Sequence, residues 1–139
     1  GWQGIHFDTF FGIFRLAKGW QRLVTMTEHH HQVLTVAWFR AQYPKLASLL
    51  FAIPNGGQRN PATAAILKAE GLVAGIPDLF LAIPSGAYHG LFIEMKTPNG
   101  VLSQAQKRIH PLLVEYGYQV GLARGYDAAK ALVKEYLNG

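Results

Sequence analysis

The chain has no cysteine, which excludes a disulfide framework and any zinc site built on thiolates. A reducing cell interior suits that composition. No apolar run approaches the roughly 18 residues that a membrane span needs, so no membrane partner is expected. A signal-peptide plan is missing too, because Asp8, Arg15, Lys18 and Arg22 interrupt the aromatic residues of the N-terminal stretch. A soluble, cytoplasmic protein is the expectation. Internal repeats and low-complexity tracts are absent as well. Charge is scarce, at 15% of residues, so each acid stands out.

What is present suffices for one ordinary domain: 139 residues, half of them hydrophobic, can bury a core without metal staples. Lysine and arginine number 13 against 8 acids, a net charge of +5 that suits a polyanionic partner such as nucleic acid. Trp2, Phe7, Phe10, Phe11, Phe14 and Trp20 crowd into residues 1–25, which read as an N-terminal extension with no catalytic role. Residues 26–139 read as the functional domain.

Along that domain a helix is expected over Thr27–Gln42, stopped by Pro44. Leu49–Pro54 reads as a strand, and Pro61 opens a helix ending near Gly71. Asp78–Ile83 and Leu91–Lys96 read as two apolar strands joined by a hairpin-length connection. Ser103 opens a further helix with Gln106 in capping-box position, and Pro111 should kink or split it. Gln119–Ala123 and Tyr126–Leu137 read as a last strand and helix. The order α, β, α, β, β, α, β, α is that of a mixed α/β layer fold.

Chemistry concentrates in Gly75-Ile76-Pro77-Asp78-Leu79 and Glu94-Met95-Lys96. Side chains alternate along a strand, so Glu94 and Lys96 share a face, and the hairpin can bring Asp78 beside Glu94. Two neighbouring carboxylates repel unless a divalent cation sits between them. Oxygen ligands without cysteine favour a hard ion, Mg2+ or Mn2+. Such an ion activates water and polarises phosphorus, and Lys96 supplies positive charge where a phosphate oxygen gathers negative charge. Asp78, Glu94 and Lys96 are therefore candidate catalytic residues for phosphodiester hydrolysis. Pro-Asp is also a common turn pair, and Glu-x-Lys occurs by chance on many strands. The conjunction carries the argument: Asp78 is the only Asp between positions 9 and 126, one hairpin ahead of the only Glu-x-Lys. Leu91-Phe92-Ile93 marks a buried strand, where an unpaired carboxylate is costly.

Other features are less specific. Neighbours in His29-His30-His31 point about 100° apart on a helix and cannot converge on one ion, though His31 alone can line a cleft beside Glu28. Asn55 and Arg59 lie in a turn-rich loop suited to phosphate contact, or to an ordinary strand–helix connection. Lys107 and Arg108 can track a nucleic-acid backbone or simply face solvent.

From Phe51 to Gly121 the chain resembles the virus-type replication-repair nuclease (VRR-NUC) family, a branch of the PD-(D/E)XK superfamily. The residues concerned are Ile53-Pro54-Asn55-Gly56, Gly71 through Leu79, Phe92-Ile93-Glu94-Met95-Lys96-Thr97, Leu102-Ser103 with Gln106, and Gly117; Met26-Thr27-Glu28 with Gln32 resembles its N-terminal helix. The resemblance implies a restriction-endonuclease-like core, a mixed sheet flanked by helices. It implies metal binding by Asp78 and Glu94, with the Met95 carbonyl as a further ligand, and Lys96 as the catalytic lysine. Glu28 resembles the family's helical acid on the metal side, although Thr25 and Glu28 also read as a capping box. Gln106 resembles its helical glutamine near the site, or is the capping partner of Ser103. His110 stands where related nucleases often have a tyrosine. The implied activity is a Mg2+- or Mn2+-dependent endonuclease selective for branched or four-way-junction DNA, serving repair or recombination in a bacterial or phage-infected cell. A non-cleaving binder and an RNA-processing nuclease are the alternatives. A homodimer is implied, and Trp38, Phe39 and Tyr43 read as spare apolar surface for it. Setting aside Glu28, Asp78 and Glu94, which a cation would mask, leaves 13 basic residues against 5 acids, or +8.

Overall fold

The computed structural model describes residues 26–54 and 60–139. Helix α1 spans Glu28–Gln42, and Thr27 caps it, its side chain accepting from the His30 amide. A 3-10 turn at Pro44–Leu49 leads into β1, Leu50–Ala52. Helix α2 follows at Pro61–Ala69, capped by Asn60. Strands β2 (Leu79–Leu81) and β3 (Leu91–Lys96) precede α3 (Gln104–Glu115), β4 (Gln119–Arg124) and α4 (Tyr126–Asn138). The sheet runs β1-β2-β3-β4, with antiparallel neighbours except for the parallel β3–β4 pair. The parallel pair needs a crossover, and α3 supplies it.

The core lies on one sheet face. Leu91, Ile93 and Met95 alternate onto it from β3, beside Leu79 and Leu81 of β2. Leu34, Trp38 and Phe39 of α1 and Tyr126, Ala129, Val133 and Tyr136 of α4 cover it, each set at helical spacing. Phe92, Glu94 and Lys96 alternate to the other face. There Phe80 stacks on Phe92 at 4.4 Å, and α3 lies across, since its His110 reaches Glu94. The result is an α/β layer fold with a mixed sheet flanked by helices.

Three expectations are corrected. The first strand begins at Leu50, because Pro44 starts a 3-10 turn that takes up Lys45–Leu49. Helix α3 is not split at Pro111, which is exposed on the helix, so the Lys107 carbonyl that loses an amide partner there has access to water. Trp38 and Phe39 are buried and Tyr43 packs against both, with ring centroids 5.9 and 5.1 Å apart, so these rings are core and not spare surface. Residues 1–25, Asn55 and Arg59 lie outside the described residues.

Candidate functional site

The β2–β3 ladder ends at the Leu79–Ile93 pair, and its register carries on to set Asp78 opposite Glu94. Asp78 stands just before β2, where its side chain takes over from the ladder. Its Oδ2 accepts the Met95 amide at 2.8 Å, and its backbone carbonyl accepts the Ile53 amide at 2.8 Å. Asp78 is thus pinned from both sides, behind the fully buried Pro77. Gly75 adopts φ +96°, and an added Cβ would fall 2.5 Å from the Ala105 carbonyl oxygen and 2.9 Å from the Gln106 nitrogen. Only glycine lets this loop press its backbone against the first turn of α3.

Glu94 is 1% exposed, in the middle of the sheet. Burial, the hydrogen bond and charge of Asp78, and a smaller effect of Glu28 push its carboxyl up to about 9, against the pull of Lys96. Near neutral pH and without a cation, Glu94 therefore stays protonated. Lys96 ends β3, half-buried, on the same face as Glu94. Its stem runs beside Gly100, whose added Cβ would meet Lys96 Cδ at 3.3 Å. The turn after it is held by Arg124, whose Nη1 donates to the carbonyls of Thr97, Pro98 and Gly100 at 3.0, 3.1 and 2.7 Å.

The fold thus brings Asp78, Glu94 and Lys96 together, with the Met95 backbone among them. Glu28 sits at the first position of α1, close enough for Glu94 to feel its charge; the cap there is Thr27, and Thr25 lies outside the described residues. Gln106 takes the capping role: its Oε1 accepts the Ser103 amide at 2.8 Å while Ser103 Oγ accepts the Gln106 amide at 3.2 Å. Lys107 and Arg108 are exposed on α3. His31 turns elsewhere, its Nδ1 accepting the Tyr126 amide at 2.9 Å and capping α4, where Gly125 has no side chain to do so. Sequence reasoning did not place His110 in the site, yet its Nε2 stands 3.9 Å from Glu94 Oε1. The signal was its position one helical turn beyond Gln106.

The residues suit a divalent cation. Asp78 and Glu94 offer paired carboxyl oxygens, and Glu94 Oε1 is buried without a hydrogen-bond partner. Among the described residues, no group of three or more His, Cys, Asp or Glu side chains forms a ready metal cage. An ion held by two carboxylates and several waters, the habit of Mg2+, needs no such cage.

The sequence profile of the VRR-NUC domain matches residues 20–127. The chain belongs to the VRR-NUC domain family. A solved structure described as a VRR-NUC domain protein shares 32% identity and superposes with a TM-score of 0.71, over 81% of this chain and 89% of that one. No match was found among proteins of curated function. Membership places this VRR-NUC domain in a nuclease-related family with a PD-(D/E)XK-like fold. The Asp78, Glu94 and Lys96 cluster stands where its β2 and β3 meet. Among the described residues, no helix is long and apolar enough to cross a membrane.

Proposed function

We propose that this domain is a Mg2+- or Mn2+-dependent endonuclease that hydrolyses phosphodiester bonds in DNA, with branched and four-way-junction DNA as its substrates. The observation that carries this reading is the pairing of Asp78 with the buried Glu94, whose carboxyl is pushed up to about 9, beside Lys96 on the same face. A protein that only bound DNA would gain nothing from burying Glu94 against a second carboxylate at such cost.

Asp78 and Glu94 would hold the ion, with Glu28 and the Met95 carbonyl as the further candidates. When bound, the cation supplies Lewis-acid polarisation of the phosphodiester and lowers the pKa of water. The protein does the rest. The Met95 amide fixes the Asp78 carboxylate, so that its orientation costs nothing on substrate arrival. Lys96 places an ammonium where a scissile phosphate gathers charge, and the Arg124-held turn keeps its stem in position. Lys107 and Arg108, exposed on α3, supply contacts to the flanking phosphates.

A four-way junction has two-fold symmetry, so paired cuts call for two sites related by the same operation, and we propose a homodimer. The surface in support is α2, which buries none of its residues and leaves Ile66 59% exposed, with Val73 46% exposed just beyond it. We place the activity in DNA repair or recombination, in the cytoplasm of a bacterial or phage-infected cell.

The test is a cleavage panel of linear, flapped and four-way DNA and matched RNA, each with Mg2+, Mn2+ or chelator. Junction cutting with metal and none in chelator is expected. Undiminished cutting in chelator removes the metal mechanism, RNA cutting alone moves the substrate class, and binding without cutting under every condition refutes the enzyme. Light scattering with and without junction DNA tests the dimer, which a monomer in both conditions rules out.

A further inference from the structure

The buried side-chain polar atoms without a hydrogen-bond partner among the described residues are Glu94 Oε1 and His110 Nε2, and they face each other across 3.9 Å. A buried donor or acceptor left unmade costs about 1–3 kcal/mol. Two of them kept face to face mark room for a third group between them.

The imidazole is also held in one orientation. The Gly75 backbone hydrogen-bonds the ring, and with Nε2 unpartnered that bond falls on Nδ1. An Nδ1–H given to a backbone carbonyl leaves a lone pair on Nε2, which is how ligating histidines are commonly oriented. Gly75 is itself locked against the first turn of α3, the helix that carries His110. Ring and anchor therefore move as one body.

We infer that His110 Nε2 is a direct ligand of the cation held by Asp78 and Glu94, and that it tunes the site toward Mn2+ over Mg2+. This rests on the metal-dependent reading above. A gap of 3.9 Å is too long for a hydrogen bond. It lies between the about 3 Å of adjacent donors and the about 4.2 Å of opposite donors around an ion with bonds of about 2.1 Å. A small rotation of either side chain completes the contact. Imidazole suits transition ions, whereas Mg2+ prefers oxygen and keeps its waters, so one nitrogen among carboxylates shifts the preference.

The experiment is electron spin-echo modulation on the full chain loaded with Mn2+, beside calorimetric titration with Mn2+ and Mg2+. Modulation from a coordinated 14N is expected in the native protein, and it should change to the 15N pattern when the histidines alone are 15N-labelled. His110→Gln should lose it, and should lose about ten- to a hundred-fold in Mn2+ affinity with a much smaller change for Mg2+. Labelling reads histidine ligation in the native protein whether or not the variant folds, and the variant assigns it to His110. Mn2+ binding without histidine nitrogen modulation, or modulation that survives His110→Gln, overturns ligation by His110 and leaves the metal-dependent reading intact. Absence of Mn2+ binding overturns both.

Discussion

Replacing Glu94 by glutamine separates what this carboxyl costs from what it does. In chelator the folded chain keeps Glu94 protonated up to about 9, whereas the unfolded carboxyl ionises near 4.5. Between those values the folded state holds a proton that the unfolded state has released. This contribution to stability is therefore complete below about pH 4.5, declines as pH rises, and is lost once pH passes about 9. At about 1.4 kcal/mol per pH unit, the loss by pH 7 reaches at most about 3 kcal/mol. Glutamine has no proton to lose, so Glu94→Gln should melt above the native chain at pH 7, by up to roughly 10 °C. At pH 5 the gap should shrink to under about 1 kcal/mol. Divalent cation should raise the native melting temperature and leave the variant unmoved, and the variant should not cleave. Scanning calorimetry at pH 5, 7 and 8.5 in chelator, and at pH 7 with divalent cation, measures all but the last. Coincident melting of the two proteins at pH 7 in chelator would refute the reasoning, because Glu94 would then ionise inside the fold at no cost.

Asp78→Asn and Lys96→Ala should each lower the cleavage rate by about 10²–10³ while keeping the native circular dichroism, and normal cutting by either folded variant removes that residue from the site. His31 must stay neutral to accept the Tyr126 amide, and burial lowers its pKa below 6.5, so its contribution to stability is present above that value and lost as pH falls beneath it. His31→Gln should flatten that part of the acid limb in a melting-temperature profile; an unchanged limb would mean that the cap does not matter, and His110, lowered in the same direction, carries the rest. Pro111→Ala restores an amide to the middle of α3 and should stabilise the chain by about 1–3 kcal/mol in denaturant unfolding, whereas an unchanged or lower stability would show that the helix depends on the proline ring.

The order of elements was legible because the chain is punctuated: Pro44 ends α1, Pro61 opens α2, and Ser103 with Gln106 opens α3. The Asp78–Glu94 pairing followed from strand alternation and hairpin register, which are local rules. What stayed hidden depends on docking. Counting aromatic rings suggested that Trp38, Phe39 and Tyr43 exceeded the core, but α1 and α4 share one sheet face and together enclose them. Gln106 offered two roles in the sequence, and the capping hydrogen bonds became visible only in the geometry. His110 could not be placed from spacing alone, since its reach to Glu94 depends on α3 docking against the left-handed Gly75.

The departures from local rules gather in one place, and that pattern is itself evidence about function. Elsewhere the chain answers its buried and half-buried polar groups: Thr35 Oγ1 donates to the His31 carbonyl, Ser85 Oγ to that of Tyr136, and the Tyr136 hydroxyl to that of Ile83. A sequence shaped for stability alone could do the same at position 94, where an amide or an aliphatic side chain would avoid the cost of a buried acid. Instead a carboxyl stands in the middle of the sheet, the Nε2 of an imidazole faces it unpartnered, and a glycine at positive φ packs against the helix that carries the imidazole. Local inconsistency of this kind is expected where a site, not the fold, dictates the residues. Lys96, two residues further along β3 and only half-buried, then connects that interior pair to the surface from which a phosphate backbone would approach.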